Sequence, residues 1–234
     1  MSTLPFVSCI TPTRNRRRFI PALLKSFQEQ DYGPRELLIV EDGDEDCSDL
    51  ADSSPGPLVR YFRLDASIGA KLNFAVQMAA GDVCLRMDDD DWQAPNRISA
   101  QVAHLQLSGR PVVGLSSAIY YREGEDHGIE IVGEPTDIMG FSHCFLREYS
   151  LAHPYPDRSF AEDMAFSRMA YHRGDLSAIS GLTCMVAREH DGNTSPRDAY
   201  RKDPVGSKLY AMFGEPDNYR RVPLSRFAAT VGRA

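Results

Sequence analysis

No stretch of this sequence approaches the roughly 18 consecutive apolar residues that a membrane-spanning helix needs. Its first residues, MSTLPFVSCITPTRN, lack both the charged start and the long apolar stretch of a secretory leader, so a cytoplasmic protein is expected. No Cys-x-x-Cys pair is present. The five cysteines, Cys9, Cys47, Cys84, Cys144 and Cys184, are odd in number and far apart, which excludes a zinc knuckle or a disulfide framework and predicts reduced thiols. Excess positive charge is lacking too: 26 Lys and Arg against 33 Asp and Glu give a net charge of -7, which disfavours nucleic acid as a partner because its phosphates reward clustered cations. Internal repeats, low-complexity tracts and a clear linker are absent as well. At 234 residues, the simplest organisation is one domain of somewhat more than average size.

What the chain does have is an alternation of two periodicities. Short apolar runs at 6–10 (FVSCI), 36–40 (ELLIV), 58–64 (LVRYFRL) and 82–87 (DVCLRM) read as buried strands. Between them, Ile20, Leu23, Leu24 and Phe27 share a helix face that Pro21 opens and Gly33 with Pro34 closes. Leu72, Val76 and Ala79 form a second stripe ended by Gly81. Ile98, Val102 and Leu105 form a third, from Pro95 to before Gly109. Continuously apolar strands alternating with helices predict an α/β protein with a mostly parallel sheet covered on both faces. The second half is less regular: strands are expected at 112–121 and 176–186, a helix at 162–174, and loops with short strands over 122–160.

In such sheets ligands gather at the carboxyl ends of the strands. Three polar clusters follow strands here: TPTRN, EDGDED and the acidic knot MDDDDW at 87–92. In an extended chain, Asp88 and Asp90 would face one side and Asp89 and Asp91 the other. One hard divalent cation, Mg2+ or Mn2+, could then be gripped by few protein oxygens and completed by phosphates; an acidic turn capping the next helix is the plainer alternative. Asp42 could accept hydrogen bonds from a base or ribose, or serve only as turn chemistry. Glu162 and Asp163 stand at a helix start, either as caps or with one of them as a general base. His190, in REHDGNTS, could complete a metal or phosphate site. The run RNRRR from Arg14 to Arg18 reads most simply as a solvated face.

Taken in this order, VSCITPTRNR, ELLIVEDGDED, SIGAKLNFAVQMAAGDVCLRMDDDDWQAPNRI, FAEDMAFSRM and REHDGNTS resemble the family 2 glycosyltransferases over about residues 6–195. The resemblance implies a GT-A fold, with a Rossmann-like, mostly parallel sheet, and an inverting enzyme that uses nucleotide-diphosphate sugars. It implies that Pro12, Thr13 and Arg14 line the base pocket, that Asp42 bonds the base, uracil for choice, and that Asp88 and Asp89 hold the ribose or sugar. Asp90 and His190 would stand at a Mn2+ or Mg2+ ion bridging the phosphates, Asn73 beside the donor, and Asp163 as general base with Glu162 orienting it or meeting the acceptor. Two positions depart from the family pattern: Arg14 stands where a stacking Tyr is common, and a basic residue usually just before Asn73 is displaced to Lys71, which leaves a donor contact there open.

The expected layout is a GT-A domain over 1–196, divided into a nucleotide-binding half (1–110) and an acceptor half (111–196), with the tail 197–234 packed on it. Two rivals stay open, a sugar nucleotidyltransferase and a non-catalytic binding module, although TPTRN lacks the Gly-rich loop that would cradle a triphosphate. The acceptor is a hydroxyl on a glycan, a lipid-linked glycan or a small molecule. Peripheral contact with the inner membrane face through the basic tail would serve the lipid-linked case.

Overall fold

A computed structural model describes residues 4–132, 138–193 and 220–223 of the chain. The N-terminal half builds four parallel strands, β1 (Val7–Thr13), β2 (Arg35–Glu41), β3 (Val59–Arg63) and β4 (Val83–Arg86), in the order β3-β2-β1-β4. Their continuous apolar runs have a direct cause. Val7, Cys9, Leu37, Ile39 and Leu85 pack on one face beneath α1 (Ile20–Gln28) and α4 (Arg97–Ser108), against Leu23, Phe27, Ile98 and Val102. The alternate residues Ile10, Leu38, Val40 and Cys84 pack on the other face, against Leu72 and Val76 of α3 (Ile68–Met78) and Phe166 and Ala170 of α6 (Glu162–His172). Both faces are dry, so both registers of each strand must be apolar. Helix ends follow local chemistry: the Ser67 hydroxyl accepts from the Ala70 amide at 3.1 Å to cap α3, and Gly109 takes the left-handed conformation (φ 63°) that stops α4.

The direction in which strands are added reverses at β1, because β2 and β3 are laid down on one side of it and β4, also parallel, on the other. The carboxyl ends of those two neighbours therefore border a crevice, where sheets of this kind bind ligands. Beyond β4 the sheet becomes mixed. β8 (Cys144–Leu146) lies antiparallel between β4 and β6 (Val112–Arg122), β7 (His127–Val132) pairs antiparallel with β6, and β11 (Arg220–Pro223) adds to β7. Apart from β11, the tail lies outside the described residues. Two short helices, α2 (Ser48–Asp52) and α5 (Arg147–Ala152), have no periodic apolar stripe to announce them.

The segment expected as one strand over 176–186 is two. β9 (Leu176–Ser180) and β10 (Met185–Glu189) both run parallel to β6, along successive stretches of it, and β10 also pairs with β5 (Trp92–Gln93). The chain leaves the ladder between them at Gly181, whose amide donates to Ser117 Oγ at 3.0 Å and which lies too close to the Ser117 carbonyl to carry a side chain. Composition hides this break, since LSAISGLTCMV carries no charged residue or proline across it.

Under α6, His143 is wholly buried, with Nδ1 2.8 Å from the Tyr155 hydroxyl and Nε2 2.8 Å from the Ser167 hydroxyl, which itself donates to the Asp163 carbonyl at 2.9 Å. Burial, helped by the positive charges of Arg86 and Arg97, holds the imidazole pKa well below its ordinary value. A base that stays neutral in the fold but protonates once unfolded contributes stability above the unfolded pKa, and that contribution is lost as pH falls. Below about pH 6.5 this residue should add a slope of up to about 1.4 kcal/mol per pH unit. Urea titrations at pH 7.5, 6.5 and 5.5 are expected to show a shallower acid loss in His143→Gln than in the wild type; parallel losses would assign the slope to other groups.

Candidate active site

The acidic knot leaves β4 at the crevice, and it does not stay extended. Met87 is still paired, its amide donating to the Ile10 carbonyl at 3.0 Å and its carbonyl accepting from the Thr11 hydroxyl at 2.5 Å. The chain then bends through 89–91, so adjacent carboxylates converge where alternate ones were expected to. Asp89 Oδ2 accepts from the Thr13 hydroxyl at 2.5 Å, and Arg16 Nη1 lies 2.9 Å from Asp89 Oδ1 and 3.0 Å from Asp90 Oδ2. Asp91 turns inward, is buried, and accepts the Arg188 amide at 2.9 Å. Hydrogen bonds to fixed partners, two on β1 and its loop and one on β10, thus overrule the two-residue period.

His190 reaches the same point from the far end of the chain, its Nε2 3.0 Å from Asp90 Oδ2. The Gly192 amide donates to His190 Nδ1 at 3.0 Å, which assigns the ring proton to Nε2 and makes that nitrogen the donor to Asp90. Asn193 closes the loop, its Oδ1 accepting the His190 amide at 2.5 Å and its Nδ2 standing 3.5 Å from Asp90 Oδ2. These environments separate the carboxylates. Burial, with the neighbouring Asp90 charge, pushes Asp89 up to about 7, whereas for Asp90 the same burial is outweighed by the His190 hydrogen bond and the Arg16 charge, which hold it below the usual range. Burial and the Asp90 and Asp88 charges raise Asp91 well above it.

Asp88 turns the other way, onto Arg86. This buried guanidinium donates from Nε to Asp88 Oδ1 at 2.7 Å, from Nη2 to Asp88 Oδ2 at 3.1 Å, and from Nη1 to Glu162 Oε1 at 3.2 Å. One side chain therefore ties the acidic loop to the first turn of α6. Glu162 is buried, which raises its pKa despite Arg86. Asp163 beside it is only half-buried, and its Oδ1 accepts the Met164 amide at 2.6 Å. The residue before them, Ala161, sits in the left-handed region (φ 56°), uncommon for a residue with a side chain and a place where strain is held by its surroundings. The Asp163 carboxylate lies flat on Gly140, where a Cβ would overlap its Cβ, Cγ and Oδ2. Gly140→Ala is accordingly expected to rotate this carboxylate and lower kcat by about 10²-fold with donor affinity unchanged, read from steady-state kinetics. An unaltered kcat would show that the Asp163 position does not matter.

At the ends of β1 and β2, Lys71 is buried, its Nζ donating to the Thr13 carbonyl at 2.8 Å and pairing with Asp42 Oδ1 at 2.6 Å. The displaced lysine thus braces the ends of β1 and β2 from inside. Asp42 also pairs with the mostly exposed Arg14 at 3.3 Å, and Pro12 is half-buried beside them. Both polar ends of the Asn73 side chain are committed to the Tyr155 backbone, at 2.9 Å each. The basic run is not one solvated face. Arg17 forks onto Asp49, Arg18 lies over the Phe19 ring 4.4 Å from its centroid, and Arg16 is turned inward, with 18% of its side chain exposed. Sequence reasoning missed Arg16, Arg86 and Gly140 as site residues. For Arg86 a signal existed: an arginine inside an apolar strand, two residues before an aspartate and so on its face.

A family model, Glycosyl transferase family 2, matches residues 8–164, about two thirds of the chain. The chain belongs to glycosyl transferase family 2. Among curated relatives of this family 2 glycosyltransferase, WcaA of Escherichia coli (strain K12), named for colanic acid biosynthesis, is 33% identical over 45% of the chain and 40% of its own length. The glycosyltransferase YwdF of Bacillus subtilis (strain 168) is 28% identical over 44% and 39%. The chain thus spans less than half the length of either relative. Solved structures share the GT-A fold: S. aureus TarS 1-349 in complex with UDP-GlcNAc superposes with a TM-score of 0.67 at 19% identity, over 84% of this chain and 64% of that one. The mannosyltransferase PcManGT from Pyrobaculum calidifontis, in complex with GDP-Man and Mn2+, gives 0.64 at 18% identity, over 85% and 61%.

Whether a divalent cation of the kind bound by PcManGT would fit here is answered by the donor set. Among the described residues no cluster of three or more His, Cys, Asp or Glu side chains is arranged to hold a metal ion. Asp90 and His190, an oxygen and an imidazole of the kinds Mn2+ accepts, do converge, and His190 would ligate as the tautomer whose Nε2 carries no proton, in place of its present hydrogen bond to Asp90. The residues fit a site of two protein ligands whose other positions are left to phosphate and water.

Proposed function

We propose that the protein transfers a sugar from a UDP-sugar to an acceptor hydroxyl with inversion at the anomeric carbon. What supports this is Arg86: the guanidinium that fixes Asp88 of the acidic loop also fixes Glu162, so the leaving-group side and the Asp163 side of the crevice are built from one buried ion cluster. Asp163 is the general base. Its half-exposed carboxylate takes the acceptor proton while the acceptor oxygen bonds to C1 and the bond from C1 to the diphosphate oxygen breaks. Glu162, spent on Arg86, orients it. Asp90 and His190 would hold Mn2+ or Mg2+, which supplies positive charge for the departing diphosphate. Arg14, planar and exposed over Asp42, is suited to stack on the base, while Asp88, partly exposed and fixed by Arg86, borders the donor and Asp89, buried on Thr13 and Arg16, braces the loop behind it. UDP is favoured because TarS is solved with UDP-GlcNAc, and glucosyl-3-phosphoglycerate synthase of Mycobacterium tuberculosis with UDP and Mn2+.

A thermal-shift series with UDP, GDP, ADP and CDP, each with and without Mn2+, tests the donor. A ligand at 100 times its Kd stabilises the fold by about 2.7 kcal/mol, and UDP with Mn2+ is expected to give the largest rise. If no nucleoside diphosphate raises Tm, sugar-nucleotide chemistry is excluded. The acceptor class remains a glycan, a lipid-linked glycan or a small molecule. Among the described residues no helix is long and apolar enough to cross a membrane.

A further inference from the structure

Arg16 has no part in the chemistry above, yet it is bound firmly into the acidic loop. Its Nη1 bridges Asp89 and Asp90, and its Nη2 donates to the Gly192 carbonyl at 2.8 Å, so the guanidinium also closes the loop that carries His190. The oxygen it takes, Asp90 Oδ2, is the one that His190 faces. A monovalent cation therefore already neutralises the carboxylates on which a divalent one depends. Two cations on one carboxylate oxygen repel, strongly so where burial lowers the effective dielectric. A divalent ion that takes Asp90 Oδ2 must displace the guanidinium from that oxygen, and a diphosphate is an anion suited to receive it.

We propose that Arg16 is a resident counter-cation of the acidic loop, which keeps divalent cations off Asp90 until a nucleoside diphosphate arrives to take the guanidinium. The inference rests on Asp90 and His190 being the metal side of the site. It has two consequences. The donor-free protein binds metal weakly, and metal and diphosphate bind as a coupled pair, each tightening the other by the same factor.

The test titrates Mn2+ alone, and then Mn2+ with saturating UDP, into the full chain, with free Mn2+ read by electron paramagnetic resonance. In the wild type, UDP is expected to tighten Mn2+ binding at least about tenfold. In Arg16→Gln, Mn2+ alone should bind at least about tenfold more tightly than to the wild type, and the effect of UDP should shrink in proportion. Arg16→Met, equally uncharged, repeats the measurement should the glutamine variant fail to fold. Phosphate ligation by itself couples UDP to Mn2+, so the wild-type coupling is a condition of the proposal and the uncharged variants carry its test. Equal or weaker binding of Mn2+ alone to the folded variants overturns the role of Arg16 and leaves the metal side intact, as does a wild type that binds Mn2+ equally well with and without UDP. A wild type that binds no Mn2+ even with UDP overturns both.

Discussion

Asp163→Asn is expected to lower sugar transfer by about 10²–10⁴-fold, the usual contribution of a positioned general base, while leaving UDP binding within a factor of two or so of the wild type. The asymmetry comes from what the carboxylate does in the fold. Its Oδ1 accepts the Met164 amide at 2.6 Å, a bond that the amide oxygen of Asn keeps, so the first turn of α6 should survive. What Asn loses is the capacity to take a proton. The proposed donor side, at Asp90, His190 and the Lys71–Asp42 pair, shares no hydrogen bond with Asp163 among the described residues. The measurement is UDP release from a UDP-sugar, onto an acceptor or into water, beside a UDP titration. Glu162→Gln should act differently, since Glu162 is buried and engaged by Arg86: activity falls less and stability falls more. Near-normal turnover by Asp163→Asn would remove the proposed base.

Arg86→Met should produce the largest loss of stability. The side chain has similar length and no charge, and it leaves Glu162, with 5% of its side chain exposed, and Asp88, with 21%, facing each other without their shared cation. Removing one member of a buried ion pair typically costs about 3–5 kcal/mol, because the partner charge stays desolvated. Whole domains hold only about 5–15 kcal/mol, so the variant should sit near its unfolding threshold at room temperature. Urea denaturation provides the number. Adding Glu162→Gln should restore part of the loss, since the uncompensated charge is then gone, and the double-mutant cycle should show a coupling of about 1 kcal/mol or more. A loss under about 1 kcal/mol for Arg86→Met would mean that water reaches these carboxylates after all. The two substitutions thus separate function from architecture on adjacent side chains.

The sheet was readable because its cause is local. FVSCI, ELLIV and DVCLRM are apolar in both registers, which only a strand covered on two faces requires, and the helices between them announce themselves by period and by Pro and Gly at their ends. The same alternation put TPTRN, EDGDED and MDDDDW at strand ends, and so fixed which residues would meet. Order along the chain likewise carried the family resemblance. How those residues meet was not readable. Asp88 and Asp90 were expected on one side, but the loop bends because Thr13 binds Asp89, Arg16 bridges Asp89 and Asp90, and the Arg188 amide binds Asp91. No local period encodes a partner 70 or more residues away.

Composition and periodicity, then, determined the layers of this protein, the crevice between β1 and β4, and the acidic character of what lines it. Tertiary structure alone decided which charges neutralise each other there. Arg16, which looked like solvated surface, became the cation of Asp89 and Asp90; Lys71 turned inward to Asp42; and Arg86 joined the acidic loop to α6. The physical reason is that apolar burial is a property of single residues and their spacing, whereas ion pairing depends on which side chains the packed backbone brings within about 3 Å of one another.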